Sequence, residues 1–409
     1  MKKVVPVEQL QFGMYIFELD RPWTDTPFKF QGFVLEDEEQ LETLKKYCRK
    51  VYVDQDKAPD PADRFAPRTI PPGTKLKPDS VLASITRTVT YEEKVSVDVE
   101  LPAARAAQRR TEVVLKDMFN TIRVGKVIDA PRVREAVTSM TDSVVRNPDA
   151  MMLLSKLKEK SDLTLDRALG VSIYMIAFGR YLQLPREQLD LLGMLGLLQD
   201  VGKVRLPAGL LEKKDQLTEE EQKICRSHVE QSVAILKETA GLPAELPALA
   251  ALHHERYDGS GYPEGLRGPE IGLFGSIAGL VDCFDALTRL RPYAEALSPS
   301  NALSKIYDLR DTQFDGSLVQ QMIQCIGIYP VGATVEMNTG EVGIVIAQNL
   351  VRRLQPRVML VLDRKGNPIR PQKILDLVKE PKAGPDLPYR IKRTLEKGSV
   401  AIDAAEFFL

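Results

Sequence analysis

Histidine occurs three times in this chain, and His228, His253 and His254 all fall within one short stretch. The adjacent pair runs directly into Glu255-Arg256-Tyr257-Asp258-Gly259-Ser260-Gly261-Tyr262-Pro263. Folding alone does not call for paired imidazoles beside carboxylates. A divalent cation does, because neutral imidazole and carboxylate are its usual ligands near neutral pH. Asp200 stands upstream in Gln199-Asp200-Val201-Gly202-Lys203, and Asp282 downstream in Val281-Asp282-Cys283-Phe284-Asp285. Nucleophilic Ser/His/Asp or Cys/His chemistry has no comparable support: the nearby thiol, Cys225, is placed on the helix face of His228 and reads as a packed residue.

These residues need a scaffold, and from about 130 to 327 the apolar spacing is helical nearly throughout. Thr218 and Glu221 stand at capping-box spacing, in which hydroxyl and carboxylate satisfy N–H groups left open at a helix start. The helix they open is expected to carry both Cys225 and His228. From Pro102 onward, Ala107, Val114, Leu115, Met118 and Ile122 predict a long amphipathic helix, either a homodimer contact or a helix packed on its own domain. Residues 1–54 mix short strand-like runs (4–7, 32–35, 51–53) with a helix near 38–46, the pattern of a small α+β module. Trp23, beside prolines and phenylalanines, reads as packing rather than ligand binding. Six prolines among charges mark 55–80 as an extended linker. After Tyr329-Pro330 the runs 333–337, 342–347 and 358–362 alternate or are apolar, with Asn338-Thr339-Gly340 as a hairpin turn. The fold expected is mainly α. A small α+β module (1–54) and the linker lead through a connecting helical region (81–135) to a helical domain (136–329). A short β-rich unit (330–380) and a loosely attached tail (381–409) follow.

A chain of 409 residues has room for two or three domains, and 44% hydrophobic with 28% charged residues argues for a folded soluble protein over a disordered one. A formal net charge of −1 removes the electrostatic case for nonspecific DNA binding, which depends on clustered cations neutralising phosphates. Cys48, Cys225, Cys283 and Cys325 lie far apart with no Cys-x-x-Cys pair, so neither a disulfide framework nor a zinc knuckle is expected, and reducing cytoplasm fits. The N-terminus, Met1-Lys2-Lys3-Val4-Val5-Pro6-Val7-Glu8, lacks the apolar core of a signal peptide, and no run of about 18 apolar residues is expected to span a membrane.

The string from His253 to Pro263 resembles the signature of the HD-GYP family, metal-dependent phosphodiesterases acting on the bacterial messenger cyclic di-GMP. The likeness covers about residues 140 to 330, and residues 1–54 resemble the small domain often found before proteobacterial HD-GYP domains. The resemblance implies a helical HD-type domain with metal ligands at Asp200, His228, His253, His254 and Asp282, Asp200 being the bridging aspartate. It implies phosphate contacts from Lys203 and from Arg291 in Arg291-Pro292-Tyr293. If the chain is active, Asp200 and Lys203 are the catalytic residues. The loop Gly261-Tyr262-Pro263 is implied to dock partners such as diguanylate cyclase (GGDEF) domains, a rigid structural turn being the other reading.

The chain also departs from that pattern. The family's His-Asp pair reads Gln199-Asp200 here, and the histidine of an earlier helix falls on Arg167. A glutamate that some members add for a third metal falls near Leu163, and the basic residue after the Arg-Pro-Tyr motif is Ala294. One metal therefore loses both imidazoles, while Asp200, His228, His253 and His254 keep a set for another, suited to Fe, Mn, Zn or Ni at about one per chain. The alternative is a metal-free polar cluster hydrogen-bonded to Asp200 and Asp282. Arg167 either bridges Asp200 and Asp282 as a fixed cation or turns outward to solvent. Since losing about 4 kcal/mol of transition-state stabilisation costs roughly a thousandfold in rate, the expected role is cyclic di-GMP signalling with hydrolysis impaired or absent. Such a protein is a nucleotide-binding or partner-docking regulator. The alternatives are an active phosphodiesterase with a reduced metal site, and a scaffold binding neither metal nor nucleotide.

Overall fold

The computed structural model of the chain describes residues 2–11, 14–21, 33–35, 38–54, 80–85, 89–157, 163–213, 215–289, 296–349, 352–385, 387–395 and 400. Trp23, the linker residues 55–79, Arg291, Ala294 and residues 396–399 and 401–409 of the expected tail lie outside the described residues.

The chain divides into two units, residues 1–74 and 75–409. In the first, β1 (Lys2–Pro6), β2 (Tyr15–Leu19), β3 (Phe33–Val34) and β4 (Lys50–Asp54) form an antiparallel sheet in the order β1-β4-β2-β3, accompanied by α1 (Glu38–Tyr47). Ile16, Leu19, Leu35, Leu44, Val51 and Val53 fill its core. Strand β2 was not among the expected strands. A bulge between Ile16 and Glu18 lets both Ile16 and Leu19 face inward, which breaks the period-two alternation that marks a strand.

The second unit opens with α2 (Val97–Arg123), α3 (Ala130–Arg146), α4 (Pro148–Leu157), α5 (Leu163–Tyr181) and α6 (Arg186–Leu198). It continues through α7 (Glu219–Arg226), α8 (His228–Glu238), α9 (Leu246–Ala250), α10 (Gly272–Thr288), α11 (Pro299–Asp308) and α12 (Gly316–Ile326). Helix α2 buries Ala107, Leu115, Met118 and Ile122 as it packs on α3, α4 and α5, so much of its apolar stripe is spent within its own unit. The capping box forms: Glu221 N–H donates to Thr218 Oγ1 at 3.2 Å, and Thr218 N–H to Glu221 Oε2 at 2.8 Å. The helix it opens is shorter than expected. A turn at Ser227, whose hydroxyl donates to Ile224 O at 2.7 Å, ends α7 at Arg226, so Cys225 and His228 stand on different helices.

By length and composition, Gly268–Thr288 is long and apolar enough to cross a membrane, which the sequence did not lead us to expect. Yet 61% of that window is buried, and α10 carries the buried Asp282 and Asp285 while packing on α6, α5 and α11, as a central core helix does.

At the C-terminal end, β5 (Thr334–Met337), β6 (Val342–Ala347), β7 (Arg357–Leu362), β8 (Pro368–Asp376) and β11 (Ile391–Thr394) form an antiparallel sheet in the order β11-β5-β6-β7-β8. β9 (Lys382–Gly384) and β10 (Leu387–Pro388) form a separate ladder. The expectation of a loose tail from 381 is corrected: β11 pairs with β5 as an edge strand, and Tyr389 is buried in the sheet core. β8 escaped notice because it is the other edge, largely exposed and interrupted by Pro371, so it lacks apolar alternation.

Candidate metal centre

Helix ends supply most of the site. Arg167 lies near the start of α5, Gln199 and Asp200 follow α6, His228 opens α8, His253 and His254 sit in the turn after α9, and Asp282 lies within α10. A short turn over residues 182–185 makes α5 and α6 antiparallel, which sets the start of α5 beside the end of α6. Ser172 Oγ on α5 donates to Gly193 O on α6 at 2.8 Å and holds that register. The strap after Asp200 rests on α8 through Gly202: its N–H donates to Ser232 Oγ at 2.8 Å, and a β-carbon there would collide with the His228 carbonyl.

The imidazoles are aimed by their backbone partners. His228 Nδ1 donates to Cys225 O at 2.6 Å, and His253 Nδ1 to Ala250 O at 2.7 Å. A carbonyl only accepts, so Nδ1 is the donor in both rings, and in the neutral tautomer this leaves the Nε2 lone pair facing the cluster. Those two Nε2 atoms lie 3.3 Å apart, and they lie 3.2 and 3.4 Å from Asp200 Oδ1. His254 Nε2 lies 3.2 Å from His228 Nε2. Asp200 Oδ1 is buried and accepts no hydrogen bond. Converging lone pairs in a buried site are costly unless a cation lies among them. One ligand atom from each of Asp200, His228, His253 and His254 lies within 4.8 Å of every other, and the set fits one divalent transition ion with ligand bonds of about 2.0–2.2 Å. Burial, reinforced by the neighbouring His253, pushes the His254 pKa far below the usual imidazole value, so its ring is a neutral donor.

A different cation faces the other carboxylate oxygens. Arg167 turns inward, its Nε donating to Asp200 Oδ2 at 3.2 Å and its Nη2 to Asp282 Oδ1 at 2.6 Å. Gln199 Nε2 donates to the same Asp282 oxygen at 3.3 Å, and Lys203 Nζ donates to Asp200 Oδ2 at 2.6 Å. Burial would raise the pKa of both carboxyls. At Asp282 the Arg167 charge outweighs it; at Asp200 the charges of Lys203 and Arg167 do, and both carboxyls sit below the usual range. Burial in turn lowers the Lys203 pKa against the pull of Asp200. Asp282, expected among the metal ligands, is not in that group of mutually close ligand atoms, and its Oδ1 accepts from Arg167 and Gln199.

Two residues at the site were not singled out in the sequence. Glu255 is buried, its carboxylate accepting from Glu264 N–H at 2.8 Å and Leu266 N–H at 3.0 Å, which closes the loop that follows the histidines. A β-carbon at Gly261 would collide with the backbone of Glu255 and Arg256, so glycine lets the loop fold back onto its own start. Arg226, at the end of α7, places its guanidinium 4.9 Å from the centroid of the Tyr262 ring. A glutamate following histidines signals its loop-closing task faintly; an arginine ending a charged helix gives no signal.

Residues 150–318 match an HD domain family, residues 2–133 a domain of unknown function (DUF3391), and residues 334–383 a KOW domain associated with HD domains. A cyclic di-GMP phosphodiesterase of Pseudomonas aeruginosa is 30% identical over 379 residues, covering 92% of this chain and 89% of that protein. The chain belongs to the HD-GYP family. Two further relatives are similar over part of the chain. A cyclic di-GMP phosphodiesterase response regulator of Xanthomonas campestris is 38% identical over 144 residues, 35% of this chain and 38% of that one. A 3'3'-cGAMP-specific phosphodiesterase of Vibrio cholerae is 32% identical over 155 residues, 38% of this chain and 30% of that one. In this HD-GYP protein Arg167 bonds both Asp200 and Asp282, and Gln199 bonds Asp282.

Proposed function

We propose that this HD-GYP protein is a cytoplasmic regulator in cyclic di-GMP signalling that hydrolyses the nucleotide poorly or not at all. It acts by binding nucleotide or by docking partners such as GGDEF-domain proteins through the Gly261-Tyr262-Pro263 loop. The observation that carries this reading is the Arg167 guanidinium held between Asp200 and Asp282. The relatives named as cyclic di-GMP phosphodiesterases support the nucleotide class.

Asp200, His228, His253 and His254 would hold one divalent ion, Fe, Mn, Zn or Ni. Such an ion supplies Lewis acidity and lowers the pKa of a bound water. Arg167 neutralises Asp200 and Asp282 as a permanent cation, yet a guanidinium cannot acidify water, and its planar fork is already engaged by the two carboxylates. The charge balance of a second ion is thus kept while its chemistry is lost. Lys203, resting on Asp200, and Arg291 are the cationic side chains assigned to ligand phosphates, and Ala294 offers no third. Losing about 4 kcal/mol of transition-state stabilisation lowers turnover roughly a thousandfold, whereas two cationic contacts still favour binding.

The test is calorimetric binding of cyclic di-GMP to protein purified without chelator, with release of linear pGpG or GMP followed on the same sample. Binding without turnover is expected. Turnover near an ordinary enzyme rate of about 1–10 per second would instead establish an active phosphodiesterase with a reduced site. Absence of both binding and metal would leave a scaffold.

A further inference from the structure

The three imidazoles of the cluster are not oriented in the same way. His228 and His253 are each fixed by an Nδ1 hydrogen bond to a backbone carbonyl. His254 lies against the Tyr262 ring, with centroids 4.7 Å apart and planes inclined by 23°. The Tyr262 N–H donates to the His254 carbonyl at 3.2 Å, so ring and backbone of the same two residues are joined. The Arg226 guanidinium lies 4.9 Å from the Tyr262 centroid and ties the end of α7 to the stack. Tyr262 cannot drift alone, because Gly261 packs against the Glu255 backbone and the buried Glu255 carboxylate holds the N–H groups of Glu264 and Leu266. Helix α7, by contrast, buries none of its side chains, and its remaining ties include the Lys213–Glu221 ion pair at 2.7 Å.

We infer that Tyr262 is the positioning residue for His254, and that through it the ligand geometry of the cluster and the order of the 256–266 loop with α7 form one coupled unit. This rests on the proposed metal site. Groups that orient a metal-bound histidine without touching the ion typically carry about ten- to a hundredfold in affinity, and here a ring stack takes the place that carbonyls hold at His228 and His253. Binding linkage is reciprocal: the factor by which the ordered loop raises metal affinity is the factor by which metal favours the ordered loop. Any protein docking on the Gly-Tyr-Pro surface would therefore sense whether the cluster is loaded.

Cobalt(II) is the probe, titrated into chelator-treated full-length protein and followed by its visible absorption, with amide hydrogen exchange measured over residues 256–266. Wild type is expected to bind cobalt, and exchange in the loop to slow on binding. Tyr262→Phe, which keeps the ring, should bind within about twofold of wild type. Tyr262→Ala should bind at least about tenfold more weakly, with altered cobalt band intensities and no metal-dependent protection of the loop. Tyr262→Leu keeps bulk without a π face and carries the same expectation should Tyr262→Ala lose the fold. If Tyr262→Ala or Tyr262→Leu binds cobalt with wild-type affinity and spectrum, the positioning role is overturned and the metal site stands. If wild type itself binds no cobalt, the metal site falls instead.

Discussion

Arg167 holds a permanent positive charge between Asp200 and Asp282, two carboxylates that burial would otherwise push toward the neutral form. Removing one partner of such a buried group leaves the others uncompensated. Arg167→Ala should therefore lower the stability of metal-free protein by about 3–5 kcal/mol, and added manganese should stabilise the variant by more than it stabilises wild type. Urea unfolding with and without the ion measures both effects; an unchanged midpoint would mean that Arg167 does not supply the counter-charge. At this scale the sequence displayed residue types but not their aim. Arg167 and Gln199 could be matched to ligand positions from the motif alone. Whether Arg167 faced inward depended on the packing of α5 against α6.

Helices and strands were legible where their own residues carried the signal. The Thr218–Glu221 capping box and the turn at Asn338-Thr339-Gly340 are local chemistry, and both form. The edge strands β8 and β11 depend on tertiary partners and leave little periodicity to read, and the local turn at Ser227 interrupts a run whose residues otherwise read as helical. One contact between elements has a pH consequence. Asp149 on α4 accepts the Gln348 N–H, just after β6, at 2.8 Å, and burial pushes its carboxyl up to about 7. In the unfolded chain an aspartate ionises near 4. Between those values folding takes up a proton, so this group's contribution to stability falls as pH rises from about 4 to 7 and is flat above. Asp149→Asn keeps an acceptor for Gln348 and removes the charge. It should match wild type near pH 4 and exceed it by on the order of 3 kcal/mol at pH 8. Unfolding midpoints across that range check this, and a difference that does not change with pH would contradict it.

Over the whole molecule, the family was legible because its signature is contiguous, from His253 to Pro263, and the similarity extends along 92% of the chain. The sequence led to an expectation of about one ion per chain, but the ligand geometry behind it depends on atoms that α5, α6, α8, α9 and α10 bring together from distant parts of the sequence. The near-neutral charge of the chain and the burial of its most apolar helix leave the histidine cluster as the feature with clear chemistry. In the function proposed for that cluster, a guanidinium holds the place of one ion and leaves ligands for another. The most direct test is the metal content of full-length protein purified without chelator and then saturated with manganese or iron, determined by elemental mass spectrometry. About one ion per chain is predicted. About two per chain would contradict the account, because the second would have to bind where Arg167 now bridges Asp200 and Asp282.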